Sequence, residues 1–221
     1  MKKMLVIIVI LAMILVSMII YKNIAINKNK SVNVQEVEQI EEYISKIYMW
    51  KEITKEALPT FENINNANEL WLWEVIKKNL ETYETTYEEI QQKGKELFGE
   101  KFEKQIPKEG NDSFYYDKES NKYLATEIVL DEEEDSFLLK DIEKEGEKYK
   151  VKIIEYIEDY SEENKVIIRN LQEEEIGRVS TSDSETKIKE IVKNNKERFS
   201  QKNIEIKKEK DNLVIEKVNK E

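Results

Sequence analysis

Hydrophobic spacing along the chain changes twice and divides it into three regions. From Met4 to Ile20 the run MLVIIVILAMILVSMII carries no charge and no proline, and Tyr21 and Lys22 follow it. An α-helix rises about 1.5 Å per residue, so this run with its flanks just spans a hydrocarbon core of roughly 30 Å. Tyr21 suits the interface and Lys22 can snorkel. The pattern predicts a membrane anchor over residues 4–21 and a polar stalk to residue 30. A cleaved signal peptide fits less well, because the apolar run is long for an h-region and Asn23-Ile24-Ala25 lacks the paired small residues of a cleavage site. The three-residue N-tail places the N-terminus in the cytoplasm and the C-terminal part outside, although Lys2 and Lys3 on one side face Lys22, Lys28 and Lys30 on the other.

Beyond the stalk the apolar period is helical. Asn33 and Glu36 form a capping box ahead of Val37, Ile40, Ile44 and Ile47, and the helix is expected to run toward Ala57 and stop before Pro59. Residues 60–67 read as an Asn-rich loop. Asn68 caps a second helix carrying Leu72, Ile76 and Leu80 on one face and continuing to Tyr83, and Thr86 with Glu89 opens a third that ends at Gly99. After Pro107 the period becomes 2. Phe114–Asp117 and Lys122–Val129 read as a hairpin, as do Ser136–Ile142 and Lys148–Ile157 around Glu145-Gly146, with Tyr149, Val151 and Ile153 on one face. Val166–Ile168 predicts another strand, and residues 171–183 show no period. Ser184 caps a fourth helix, with Ile188, Ile191, Val192 and Phe199 inward. Ile204–Lys208 and Leu213–Val218 close the chain as a hairpin turned at Asp211-Asn212.

The expected fold class is therefore α+β: an N-terminal transmembrane helix, then three helices packed on a curved antiparallel sheet, with an extra C-terminal helix and hairpin. The division is residues 1–30 as anchor and stalk and 31–221 as one soluble domain.

Composition narrows the function. The chain is 38% charged, yet aromatics reach 9% and the apolar positions are periodic, so the soluble part is expected to fold. None of the 47 acidic residues but five of the 36 basic ones lie in the first 30 positions, which leaves −16 on the remainder. Such a domain is repelled by phosphate backbones and has no basic stripe, so nucleic acid is not an expected partner. The run Asp131–Asp135 lacks the alternating ligands and glycine of a calcium loop and reads as a solvated loop. With no cysteine and no histidine, the chain cannot build a Ser-His-Asp triad, a Cys-His pair, a lipid-modified cysteine or a His/Cys zinc site. Among five glycines there is no phosphate-cradling or dinucleotide fingerprint. Only carboxylate chemistry remains, and 47 acidic residues single out no pair. No enzymatic activity and no cofactor or metal is expected.

The aromatics supply the candidate sites. Trp71 and Trp73 lie about 200° apart around a helix, so both cannot enter one core. Trp73 shares the Ile76 and Leu80 stripe. Trp71 is either part of a second packing surface or, with Trp50 and Leu70, an anchor for a partner. Trp73, Tyr115, Tyr116 and Tyr123 are the candidates to line a pocket under the helices.

Gly94–Gly99, Phe114–Tyr123 and Phe137–Ile142 through Tyr149–Ile153 together resemble membrane-anchored NTF2-like or cystatin-like domains of Gram-positive bacteria, over about residues 35–160. The resemblance lies in element order and aromatic placement, and the final 161–221 extends beyond it. It implies an extracytoplasmic assembly or scaffold component of the cell membrane whose partner is another membrane or cell-wall protein. The alternatives are a small-ligand or peptide-sensing pocket domain and a regulator of a cell-wall enzyme that meets the acidic surface.

Overall fold

The computed structural model describes residues 32–126, 133–182 and 185–221. The first helix, α1 (Val34–Ile47), begins at its capping box: Asn33 Oδ1 accepts the Glu36 N–H at 2.9 Å, and Glu36 Oε2 accepts the Asn33 N–H at 3.1 Å. Its inner side is Ile40, Tyr43, Ile44 and Ile47. The helix stops there, well short of Ala57. Tyr48 is extended (φ −83°, ψ 123°) and buried, and its hydroxyl reaches the backbone of Ser136 and the carboxylate of Glu155. A short helix, α2 (Lys51–Thr54), and Lys55 at φ 68° then turn the chain back. The break is bought by tertiary bonds to residues about 90 to 110 positions away, which a local period does not register.

In α3 (Glu69–Lys78), Asn68 Oδ1 accepts the Trp71 N–H at 3.0 Å as the cap. This helix ends before Leu80, and Tyr83 is exposed instead of continuing the face. In α4 (Tyr87–Phe98) the Thr86 and Glu89 capping box forms as expected. Gly99 closes the helix at φ 87°, a region that favours glycine.

The strands make two antiparallel sheets rather than one. The small sheet has the order β1–β3–β2, formed by β1 (Glu84–Thr85), β2 (Phe114–Asp117) and β3 (Lys122–Ala125). It is separate because β3 takes the two residues before α4 as its second neighbour. That places Thr85, Phe114 and Tyr123 inward, all buried.

The large sheet contains β4 (Glu133–Glu145), β5 (Lys148–Asp159), β6 (Lys165–Arg169), β7 (Glu175–Ser180), β8 (Ser200–Glu209) and β9 (Asn212–Lys220). Its hub is β5. One edge of β5 pairs with β4 over its length; the other is divided, with β8 taking Lys148–Glu155 and β6 taking Ile157–Asp159. The C-terminal hairpin is thus not an addition at the margin, since β8 lies in the sheet beside β5. The unassigned stretch supplies β7.

Alternation along β5 serves two cores. Tyr149, Val151 and Ile153 face α1, α3 and α4 in the main core. Ile154 and Tyr156 point the other way, into a second core with Leu138, Val166, Ile168 and Val179, covered by Ile188 and Val192 of α5 (Glu185–Asn194). Phe199, expected on that helix, lies past its end but still fills this core.

Among the described residues the chain is α+β, with five α-helices and two antiparallel sheets, and the transmembrane helix of the expected layout is not among them. No helix among the described residues is long and apolar enough to cross a membrane. The anchor expected over residues 4–21 and its stalk lie outside the described residues, as do the end of the Lys122–Val129 strand, Asp131, Glu132 and the Ser184 cap.

Candidate functional site

The two tryptophans of α3 are both interior. Trp71 is 0% exposed, and its indole Nε1 donates to the carbonyls of Ile47 (3.1 Å) and Ala57 (3.2 Å). It therefore pins the end of α1 to the turn before Pro59 and offers no surface to a partner. Trp73 is buried on the other side, its ring edge-on to Phe102 at 6.2 Å. Phe61, Trp71, Phe98 and Phe102 form a continuous ring series with centroids 5.3–5.8 Å apart. These rings fill the space between helices and sheet where a pocket was expected. Leu70 is half-buried. Trp50 is half-buried beside the main core, with the Lys78 ammonium 5.1 Å from its ring centre.

Of the pocket candidates, Tyr116 and Tyr123 do come together. Register pairs them directly across β2 and β3, and their rings lie 5.0 Å apart. Tyr115, one residue away, points to the opposite face and is 62% exposed. Tyr116 and Tyr123 line a cavity of about 510 Å³ with Tyr87, Ile106, Gln105 and Asn121. The helix start supplies Tyr87, the loop before Pro107 supplies Gln105 and Ile106, and the hairpin supplies Tyr116, Asn121 and Tyr123. Tyr87 follows the Thr86 cap, and that position at the start of α4 is what brings it to the pocket.

The hydroxyls in this pocket are largely spent. Tyr116 donates to Asn121 Oδ1 at 2.6 Å and Tyr123 to the Pro107 carbonyl at 3.1 Å. Burial, more than the neighbouring Tyr116 and Tyr87, holds the Tyr123 hydroxyl above the usual phenol range. What the pocket offers is ring surface, the amides of Gln105 and Asn121, and the charges of Lys108 and Glu88. Glu88 is the one carboxylate in its lining, so the pocket has no carboxylate pair for acid–base transfer.

A second polar constellation lies where α1 ends. Glu155 and Lys202 face each other from β5 and β8, both buried, with Nζ to Oε1 at 3.1 Å. Ser200 donates to Glu155 Oε2 at 3.1 Å, and Lys202 also donates to the Leu58 carbonyl. The Tyr48 hydroxyl sits 3.3 Å from Glu155 Oε1; burial first, and then the Glu155 charge, push it well above its usual range. Charge and hydrogen bonds are mutually satisfied in this group, as a structural brace requires. Glu74 is likewise buried against Lys77 at 2.8 Å, and Asp159 against Arg169 at 2.8 Å.

Beside the brace, a cavity of about 320 Å³ opens between the Tyr48–Trp50 corner and β4–β5. Asp135 stands in its lining. Its Oδ2 accepts the Lys51 N–H at 2.6 Å, while Oδ1 is buried without a hydrogen-bond partner. Burial holds the Asp135 carboxyl above the ordinary carboxylate range, despite that N–H bond. Sequence reading assigned Asp135 to a solvated acidic loop. Its burial follows from β4 beginning at Glu133, which draws the end of that run into the sheet. Among the described residues no group of three acidic, histidine or cysteine side chains is placed to hold a metal ion.

Compared with protein-family models, with curated proteins and with solved structures, the chain matches none of them.

Proposed function

We propose that the chain is a non-catalytic interaction domain of the cell membrane, contacting the bilayer through residues 4–21, with its folded part outside the cytoplasm and bound to another membrane or cell-wall protein. One observation carries the reading. The helix–sheet interior is filled by Phe61, Trp71, Phe98 and Phe102, while unspent aromatic surface lies at the outside, in the pocket of Tyr87, Tyr116 and Tyr123. The Tyr116 and Tyr123 rings, whose hydroxyls are already bonded, favour contact with apolar side chains of a partner segment over chemistry on a bound molecule. The NTF2-like or cystatin-like resemblance points the same way, toward assembly components.

The buried acids support it further. Glu155, Glu74 and Asp159 are each matched by a basic side chain inside the domain and are engaged in holding it together.

The test is affinity capture from detergent-solubilised membranes with the full-length chain, beside Tyr87→Ala and Tyr116→Ala. Both residues are half-buried, and a Tyr115→Ala chain serves as the surface control. The expected result is one membrane or wall protein retained by wild type and by Tyr115→Ala and lost from both pocket variants, with their thermal unfolding still cooperative. Equal retention by all four chains overturns the proposed surface.

A further inference from the structure

We propose that the cavity beside the Tyr48–Trp50 corner is a receptor site for an alkylammonium group, supplied either by a small amine or by a lysine side chain of a partner. Its walls are aromatic: Tyr48, Trp50, Phe137 and Tyr156 all line it, and the Tyr48 and Phe137 rings lie 5.1 Å apart. Its charged groups are mostly acidic, with Glu134, Asp135 and Glu158 in the lining beside the single cation Lys78. Aromatic rings set among carboxylates in a partly desolvated cavity make up the chemistry that recognises an organic cation.

Three features point to a cation as the occupant. First, Asp135 Oδ1 is a buried acceptor in the cavity wall that no hydrogen-bond donor answers, which keeps the wall negative. Second, the protein already seats one ammonium here by the same means. Lys78 Nζ stands 5.1 Å from the Trp50 ring centre and donates to the carbonyls of Ser45 (3.1 Å) and Tyr48 (2.9 Å). Third, that lysine does not balance the site. At the rim Lys189 answers Glu185 at 2.7 Å and Glu41 at 3.9 Å, and Glu158 accepts the Tyr160 hydroxyl at 2.7 Å. Lys51 turns its ammonium to Glu173 at 3.6 Å and meets Asp135 through its backbone N–H, its charge acting on that carboxylate from farther away. Glu134 and Asp135 remain as negative charge facing the cavity, with Lys78 as its one lining cation. A metal ion fits less well, because no three ligating side chains converge among the described residues and the walls are rings.

The experiment is isothermal titration calorimetry on the full-length chain in detergent micelles. The probes are n-butylamine hydrochloride and Nα-acetyl-lysine amide, against n-butanol as the uncharged analogue and sodium chloride as the ionic-strength control. Both cations are expected to bind at least about tenfold more tightly than butanol, a gap that reflects charge recognition. Tighter binding of the lysine derivative identifies a partner side chain as the source, and tighter binding of butylamine identifies a small amine. Asp135→Asn keeps an acceptor for the Lys51 N–H and removes the charge, and it is expected to weaken both cations about tenfold. Trp50→Leu does the same through the ring, so the test does not depend on one variant folding. Butanol binding as well as the amines, or cation affinity unchanged in folded Asp135→Asn and Trp50→Leu, overturns the proposal. Loss of the membrane partner from the tyrosine-pocket variants is a separate readout, and neither result depends on the other.

Discussion

Lys202 Nζ and Glu155 Oε1 meet 3.1 Å apart with the two residues only 2% and 0% exposed, and the pair ties β8 to β5. Two charges withdrawn from water are tolerated because each also holds a neutral partner: Lys202 the Leu58 carbonyl, Glu155 the Ser200 hydroxyl. Removing one member leaves the other stranded. Lys202→Met is expected to cost about 3–5 kcal/mol in urea unfolding. Lys202→Met combined with Glu155→Leu should recover part of that loss, since the Glu155 charge is then gone while Glu56, 3.8 Å from the Lys202 ammonium, stays without its cation. A double variant as unstable as the single one would show that the brace acts mainly through the Leu58 carbonyl.

Gly94 reverses an ordinary rule. In an exposed helix, glycine to alanine stabilises by roughly 1 kcal/mol. Here a Cβ at position 94 would lie 2.4 Å from the Phe102 ring, closer than real contacts allow. Phe102 is itself held between Phe98 and Trp73 and has little room to move. Gly94→Ala is expected to destabilise by about 1–3 kcal/mol, the range for overpacking. Thermal unfolding of the two chains side by side measures it, and a gain in stability would show that the ring can shift.

Asp135 and Glu36 depend on pH in opposite senses. Burial raises the Asp135 carboxyl, so the folded chain binds that proton more tightly than the unfolded one. From the ordinary carboxylate value up to the raised one, its contribution to stability falls as pH rises. Asp135→Asn should therefore raise the melting temperature at neutral pH, by about 1 kcal/mol in stability, because it removes a charge held partly out of water. The gain should shrink once the pH is taken below the ordinary carboxylate range. Glu36 is held low first by Lys144, then by the Asn33 N–H, with Tyr149 also donating. Its contribution is present above the unfolded value and lost as pH falls through the depressed one. Melting curves of Asp135→Asn and Glu36→Gln between acid and neutral pH should thus diverge in opposite directions.

Trp71 tests the joint between helix and turn. Trp71→Phe keeps a ring in the core but strips the donor from the Ile47 and Ala57 carbonyls. A loss of about 2 kcal/mol is expected, combining an unpaired buried acceptor with lost volume. Native-state hydrogen exchange should localise the loss to the end of α1 and residues 48–58. Unchanged stability would mean that water reaches these carbonyls in place of the indole.

Local patterns were legible wherever the answer is local. The Asn33–Glu36 and Thr86–Glu89 capping boxes, the Asn68 cap and the inward face of Tyr149, Val151 and Ile153 can be read from neighbours within a few residues, and each stands in the structure. The cap residue has a fixed reach to its third neighbour, and strand side chains alternate by geometry alone. The same local reading failed where a residue answers to a distant one. Nothing beside Tyr48 announces that its hydroxyl is wanted by Ser136 and Glu155, so the first helix seemed to continue. The strand of residues 175–180 has little period of its own because β6 organises it.

The site divides in the same way. That Tyr115 and Tyr116 occupy opposite faces follows from period 2, and the pairing of Tyr116 with Tyr123 follows from a hairpin. That Tyr87 joins them, and that Asp135 leaves an acidic run to enter a cavity beside Trp50, depends on where α4 and β4 are docked.

By itself the sequence determined the apolar stretch of residues 4–20, the −16 charge after residue 30, the absence of histidine and cysteine, and the segments that are helical or extended, because these are set by composition and by bonds that close within a few residues. Only the tertiary structure decided that Trp71 is spent on two backbone carbonyls, that β5 is shared among three strands, and that Glu155 is answered by Lys202. A buried polar atom must find its partner wherever the chain brings one, and sequence distance does not limit that search.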